Sequence, residues 1–193
     1  NMDLIVVMGG DNQMNPDQLP KLLMPIIQGK ADYTKGNRLL SKEFRGGMSK
    51  WRLFGNSVLT MINKISSGYW HIMDPQNGYT AISRKALSGI DIDTLFTYYG
   101  YCNDMLVKLN TFGFRTMDVT MPARYGQEKS SIKYSKFMFR VSSMLFRKFL
   151  WRLKMKYMIL SFYPLVFFYT LGMVLVPIGM LFGAYIFAAK VFL

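Results

Sequence analysis

Between Lys156 and Lys190 the chain carries no charged residue, leaving an uncharged run from Tyr157 to Ala189. A helix of about 20 apolar residues crosses the roughly 30 Å hydrocarbon slab of a bilayer. A helix is what such a run must form there, because no water remains to satisfy backbone groups. A spanning helix is expected over about Pro164 to Phe187, with Pro164 accommodated in its first turn. Gly172, Pro177, Gly179 and Gly183 within it suggest a bend or close packing against another helix. The 51% apolar content of the 193 residues is concentrated here, so the preceding stretch is read as a separate, more polar domain.

The formal charge of +13 is just as uneven. No acid follows Glu128, whereas Lys129, Lys133, Lys136, Arg140, Arg147, Lys148, Arg152, Lys154 and Lys156 precede the uncharged run. Phe137, Val141, Met144, Leu145, Phe149, Leu153 and Tyr157 recur among them at helical spacing. Residues 129–156 are therefore expected to form a basic amphipathic helix on the lipid surface, leading into the span at 157–193. Such an excess of cations places the preceding domain on the cytoplasmic side of the membrane. The solitary Cys102 fits that compartment. Nucleic acid is not an expected partner, because the basic cluster abuts a span and no nucleic-acid motif is present.

Residues 1–128 alternate strand and helix patterns, which defines an α/β class. An apolar strand, Leu4 to Met8, empties into Gly9-Gly10-Asp11-Asn12-Gln13-Met14. Asn15-Pro16-Asp17 then reads as the start of a helix over Gln18 to Gln28. A strand over Ala31 to Lys35 ends at Gly36-Asn37-Arg38, followed by a polar, mobile loop from Leu39 to Gly47. Met48 to Ile65 is an amphipathic helix whose apolar face suits a protein core or a membrane equally well. Strands are expected at Gly78 to Ser83 and Arg115 to Met121, with helices at Arg84 to Leu87 and within Leu95 to Asn110.

Taken alone, Asp11 after a strand is a turn residue or a cation ligand. Asp104 near a helix start is a capping group or a base. His71, the only histidine, has no metal partner spaced around it and is read as a packing residue.

Four stations together carry more information: Val6 to Arg38, Asp74-Pro75-Gln76-Asn77-Gly78-Tyr79, Asn103-Asp104, and Ala123-Arg124-Tyr125-Gly126-Gln127-Glu128-Lys129-Ser130. In this order they resemble the family 2 glycosyltransferases, and within them the polyprenyl-phosphate sugar transferases of the dolichol-phosphate mannose synthase group. The resemblance implies a partial GT-A sheet with flanking helices over residues 1–128. It implies metal-assisted, inverting transfer of a sugar from a nucleotide sugar, GDP-mannose or a UDP-sugar, to dolichyl or undecaprenyl phosphate. Asp11 and Gln13 would hold Mg²⁺ or Mn²⁺, and Asp104 would serve as base. Arg38 would face the phosphates, with Arg124, Lys129 and Ser130 in a loop over the site. Gln76, Asn77 and Gly78 would border the sugar, and Arg52, beside Lys50, would meet the lipid head group.

Two departures stand out. Gly9 occupies the place of the family's first metal-motif acid. The chain also opens directly on the metal-motif strand and ends abruptly, so it is expected to be an internal fragment lacking the N-terminal nucleotide-binding half and the C-terminal end. Such a fragment is expected to be inactive alone and to self-associate through a bare strand edge into a homo-oligomer. The rival function class is a membrane-anchored binding or scaffold module that has lost catalysis, for which Gly9 is the best support. A flippase would need several spans, and one is evident.

Overall fold

The computed structural model describes residues 2–10, 13–39, 50–122 and 134–192. They form two compact units, residues 1–152 and 153–193. The first is built on four strands, β1 (Leu4–Val7), β2 (Tyr33–Asn37), β3 (Thr80–Ser83) and β4 (Thr116–Thr120), in the order β1-β3-β2-β4. β3 runs antiparallel to both neighbours, and β2 pairs parallel with β4.

Alternation along the strands assigns each face its cover. Leu4, Val6 and Ala81 point toward helix α1 (Leu19–Ile27), where they meet Leu22 and Ile26. Ile5, Tyr33 and Ile82 point the other way, onto Leu106 and Leu109 of α4 (Tyr101–Thr111). The opposite side of α4 presents Val107 to Leu59 of α2 (Lys50–Ser67) and to Val141, Met144 and Leu145 of α5 (Tyr134–Lys154). With a sheet on one side and two helices on the other, α4 is covered nearly all round. The short helix α3 (Arg84–Ser88) follows β3, capped by the Ser83 hydroxyl accepting from Ala86 N.

The expected elements are present, with shifted ends. A turn closes α1, in which the Lys30 and Ala31 amides donate to Pro25 O and Gly29 adopts φ +67°. It consumes Ala31 and Asp32, so β2 starts at Tyr33 and runs on to Asn37, which lies opposite Thr120. α2 reaches Ser67 and ends at Gly68, whose φ of +78° favours glycine and which lies against the Arg152 guanidinium. The loop expected at Leu39 to Gly47 lies, beyond Leu39, outside the described residues.

One expectation is corrected. Val141, Met144 and Leu145, assigned from the sequence to a lipid surface, are buried against α2 and α4. α4 leaves an apolar side open once the sheet is covered, and these residues close it. Phe139, Phe146 and Leu150 lie on the outward side of α5 and remain exposed.

In the second unit, a wider π-type turn over Met155–Leu160 leads to α6 (Leu165–Phe192). Its segment Leu165–Lys190, 26 residues, is the one helix among the described residues long and apolar enough to cross a membrane. At 1.5 Å per residue it measures about 39 Å, enough to span with some tilt.

Candidate active site

Strand register brings the expected stations to one rim. Val7 and Lys35 both lie opposite Thr80, and Asn37 lies opposite Thr120. The carboxyl ends of β1, β2 and β4 and the amino end of β3 therefore sit at the same end of the sheet. Gly9 and Gly10, Arg38, and Asp74 to Gly78 all lie at that end, where open α/β sheets bind their ligands.

The inner face of β2 anchors the rim. Tyr33, Lys35 and Asn37 alternate onto the side of the 68–79 segment, and all three are buried. The Lys35 ammonium donates to Asn77 O, toward which the Cys102 thiol also points at 3.5 Å. Asn37 Nδ2 donates to Asp118 Oδ2 at 2.6 Å, and that oxygen also accepts from Met73 N at 2.7 Å. Asp118 thus ties β2, β4 and the rim segment together. Beside it, Asp74 is 1% exposed and grips Arg38, Nε to Oδ2 at 2.8 Å and Nη2 to Oδ1 at 3.2 Å, while its Oδ2 also accepts from Arg38 N at 3.2 Å. This two-point pairing fixes the guanidinium plane.

Burial pushes the Asp118 carboxyl up to about 6, with Asp74 adding to the rise against the opposing pull of Met73 N, Asn37 and Lys35. An acid raised on folding binds more protons in the folded than in the unfolded state between about pH 4 and pH 6, so stability falls as pH climbs through that window. The full contribution is about 3 kcal/mol at most. Melting in mild detergent from pH 4 to 7 should show this decline in the wild type and a flatter profile in Asp118→Asn. Equal slopes would show that Asp118 does not titrate there.

The expected site residues divide into several groups. Arg38 stands at the rim. Gly78 lets its loop lie against α4, since an added Cβ would come 3.3 Å from Tyr101 Oη. Gln76 exchanges hydrogen bonds with Asn103, at 3.1 and 3.3 Å, and Asn63 donates to the same Asn103 oxygen at 3.1 Å. Asn77, expected to meet sugar hydroxyls, is taken up by the fold: its Nδ2 donates to Gly36 O and its Oδ1 accepts from Tyr79 N. Asp104 is 0% exposed; its Oδ2 accepts from Phe96 N at 2.8 Å and from Lys148 Nζ of α5 at 2.8 Å. It caps the segment before α4 and is covered on the α5 side.

Gln13 is half-buried in the loop after β1, which Tyr79 Oη fastens by donating to Asn15 O at 3.3 Å. Asp11, Arg124, Lys129 and Ser130 lie outside the described residues, as does the side chain of Arg52. Among the described residues no three His, Cys, Asp or Glu side chains gather as a metal site. His71 bonds Thr116 and packs edge-on to Tyr69, as a packing residue does.

Sequence reasoning passed over Lys35, Asn63, Asp118 and Lys148. Two of these were signalled. Lys35 stands among strand residues that otherwise read as buried, and Asp118 interrupts the apolar pair Met117 and Val119. A polar side chain at such a position requires a specific partner.

No family model matches the chain. A UDP-N-acetylglucosamine–dolichyl-phosphate N-acetylglucosaminyltransferase of Methanococcus voltae is 31% identical over 106 residues, 54% of this chain and 41% of that protein. An uncharacterized protein of Methanocaldococcus jannaschii is 23% identical over 128 residues, 66% of this chain and 52% of that one. The chain spans about half the length of the curated relatives it matches. Among solved structures, glucosyl-3-phosphoglycerate synthase of Mycobacterium tuberculosis, in complex with Mn²⁺, UDP and phosphoglyceric acid, superposes with a TM-score of 0.55 at 18% identity over 79% of this chain and 49% of that chain. The same enzyme with Mn²⁺, UDP-glucose and phosphoglyceric acid gives a TM-score of 0.55 at 18% identity, covering 79% of this chain and 50% of that chain. The first unit therefore has the GT-A α/β fold, followed by an apolar helix of spanning length. By sequence the chain is homologous to a glycosyltransferase.

Proposed function

We propose that this chain is part of a membrane-attached glycosyltransferase that moves a sugar from a nucleotide sugar to a polyprenyl phosphate at the cytoplasmic face. The observation that carries this reading is the convergence of the loop after β1, the Arg38–Asp74 pair and the 76–78 turn on one end of the sheet. The Methanococcus voltae relative, named for a dolichyl-phosphate acceptor, supports the acceptor class. The helix at Leu165–Lys190 supports attachment to the membrane where such a lipid resides.

In the transfer, a phosphate oxygen of the lipid forms a bond to the sugar's anomeric carbon as the bond from that carbon to the nucleoside diphosphate breaks. The lipid phosphate is largely ionised near neutral pH, its second pKa being about 6, so it needs little help from a base. Asp104, fully buried and turned onto Phe96 N and Lys148, accordingly fixes the first turn of α4 rather than abstracting a proton. Arg38, with its plane set by Asp74, neutralises phosphate charge. Gln76 and Gly78 border the sugar, and Arg124, Lys129 and Ser130 are assigned to substrate binding on the family resemblance alone. Arg52 meets the lipid head group. A divalent cation, Mg²⁺ or Mn²⁺, held by Asp11 and Gln13 would neutralise the leaving diphosphate.

Membranes containing the full-length protein should transfer label from UDP-N-acetylglucosamine or GDP-mannose to dolichyl phosphate. Failure with every nucleotide sugar and polyprenyl phosphate would instead favour a non-catalytic module, the reading that Gly9 in the metal motif supports.

A further inference from the structure

The first turn of α4 faces two ways. Toward the rim, Asn103 holds Gln76, Cys102 reaches Asn77 O, and Tyr101 packs beside Gly78. Away from it, Asp104 holds Phe96 N and receives Lys148 from α5. Asp104 Oδ1 is buried with no hydrogen-bond partner among the described residues. Lys148 is the one cation in ion-pair contact with this carboxylate among the described residues, with Lys108 a more distant charge one turn on.

The segment before α4 is fastened to α5 a second time. The Arg140 guanidinium lies 5.6 Å from the Phe96 ring centre and 5.4 Å from that of Tyr98. Tyr98 adopts φ +65°, the only non-glycine residue with positive φ among those described. Such strain persists where the surroundings over-determine the backbone. One turn on from Asp104, Lys108 of α4 holds the segment through Asp91 O and Thr94 Oγ1. Residues 91–98 are thus clamped between α4 and α5, and the clamp closes on Asp104.

We propose that Lys148 is a positioning residue of the transfer site, acting through Asp104 on the first turn of α4 and so on the Gln76 to Gly78 rim. The inference rests on the transferase reading. Placement errors of about 1 Å at a reacting centre cost on the order of a hundredfold in rate, so a turn linked to the rim by three contacts must be held still. A lysine two helices from the chemistry does this because Asp104 and Asn103 are adjacent on one rigid turn. α5 is also the element that leads, along the chain, to the spanning helix.

The test compares Lys148→Met, Lys148→Arg, the neutral pair Asp104→Asn/Lys148→Met, and Arg147→Met on the exposed side of α5, all in the full-length protein. Hydrogen exchange at the Phe96 amide and steady-state transfer are measured on each. Lys148→Met should speed Phe96 exchange by about tenfold or more and lower kcat by about tenfold, with KM for the nucleotide sugar little changed. Lys148→Arg should restore both, and Arg147→Met should change neither. The neutral pair leaves neither Asp104 nor Lys148 as an uncompensated charge, and Lys108 keeps its bonds to Asp91 O and Thr94 Oγ1, so the pair should fold, yet stay slow. A folded neutral pair with wild-type kcat, or Lys148→Met with unaltered exchange and turnover, overturns the proposal. A wild-type protein that transfers nothing overturns the transferase reading instead, while the exchange arm still decides whether Lys148 holds the clamp.

Discussion

Asp74→Ala should all but abolish sugar transfer while lowering stability by about 2–3 kcal/mol. Asp74 is 1% exposed and Arg38 21%, so removing the carboxylate leaves a largely buried guanidinium and the Arg38 amide without their shared acceptor. On the proposed mechanism the same loss releases the guanidinium plane that faces the phosphates. A drop in turnover of roughly a hundredfold or more is expected, in line with the loss of one preorganised charge-stabilising donor. Asp74→Asn, which keeps the shape and one acceptor, should fall between. Transfer assayed well below the melting temperature separates the two effects. An Asp74→Ala protein that folds and keeps near-normal turnover would show that Arg38 does not need this anchor.

The second large effect is expected at Asp11. Asp11→Asn removes the negative charge of the proposed cation site while keeping the side chain's size, and turnover should fall by about two orders of magnitude or more at saturating Mg²⁺ or Mn²⁺. Gln13→Ala removes only a neutral oxygen and should be milder. Binding of Mn²⁺, followed by its paramagnetic effect on water relaxation, gives a readout independent of transfer and should weaken in parallel. Undiminished Mn²⁺ binding by Asp11→Asn would move the cation elsewhere.

Much of the fold was legible because its signals are local. The apolar run before Gly9, the Asn15-Pro16 helix start and the uncharged stretch after Lys156 are each read from consecutive residues. β1 and α1 appear within one position of expectation, while α6 starts one residue late and runs five residues past the expected end. The placement of side chains was less legible, because it depends on partners far away in sequence. Asn77 looked like a ligand for hydroxyls, but Gly36 lies beneath it, a contact that only the β2–β3 register creates. The apolar stripe of α5 looked like a lipid face because a periodic pattern states that a face is covered and not by what. Asp104 was open between cap and base. The structure adds Lys148, from an element 44 residues on, which no local reading supplies.

The parallel pairing of β2 with β4 has a consequence for how the chain comes into being. The two strands are separated by about 80 residues, and at roughly 5–20 residues per second a ribosome needs several seconds to deliver the second after the first. During that interval β2 can find β3, but its other edge has no mate, and a bare strand edge invites a neighbouring nascent chain to pair with it. Lys35, fully buried once folding is complete, sits in the middle of that edge strand while it waits. A charge on a strand whose edge stands open discourages promiscuous pairing, since an intermolecular sheet closing over it would cost its hydration. The residue that anchors the rim in the finished protein thus also guards the unfinished one.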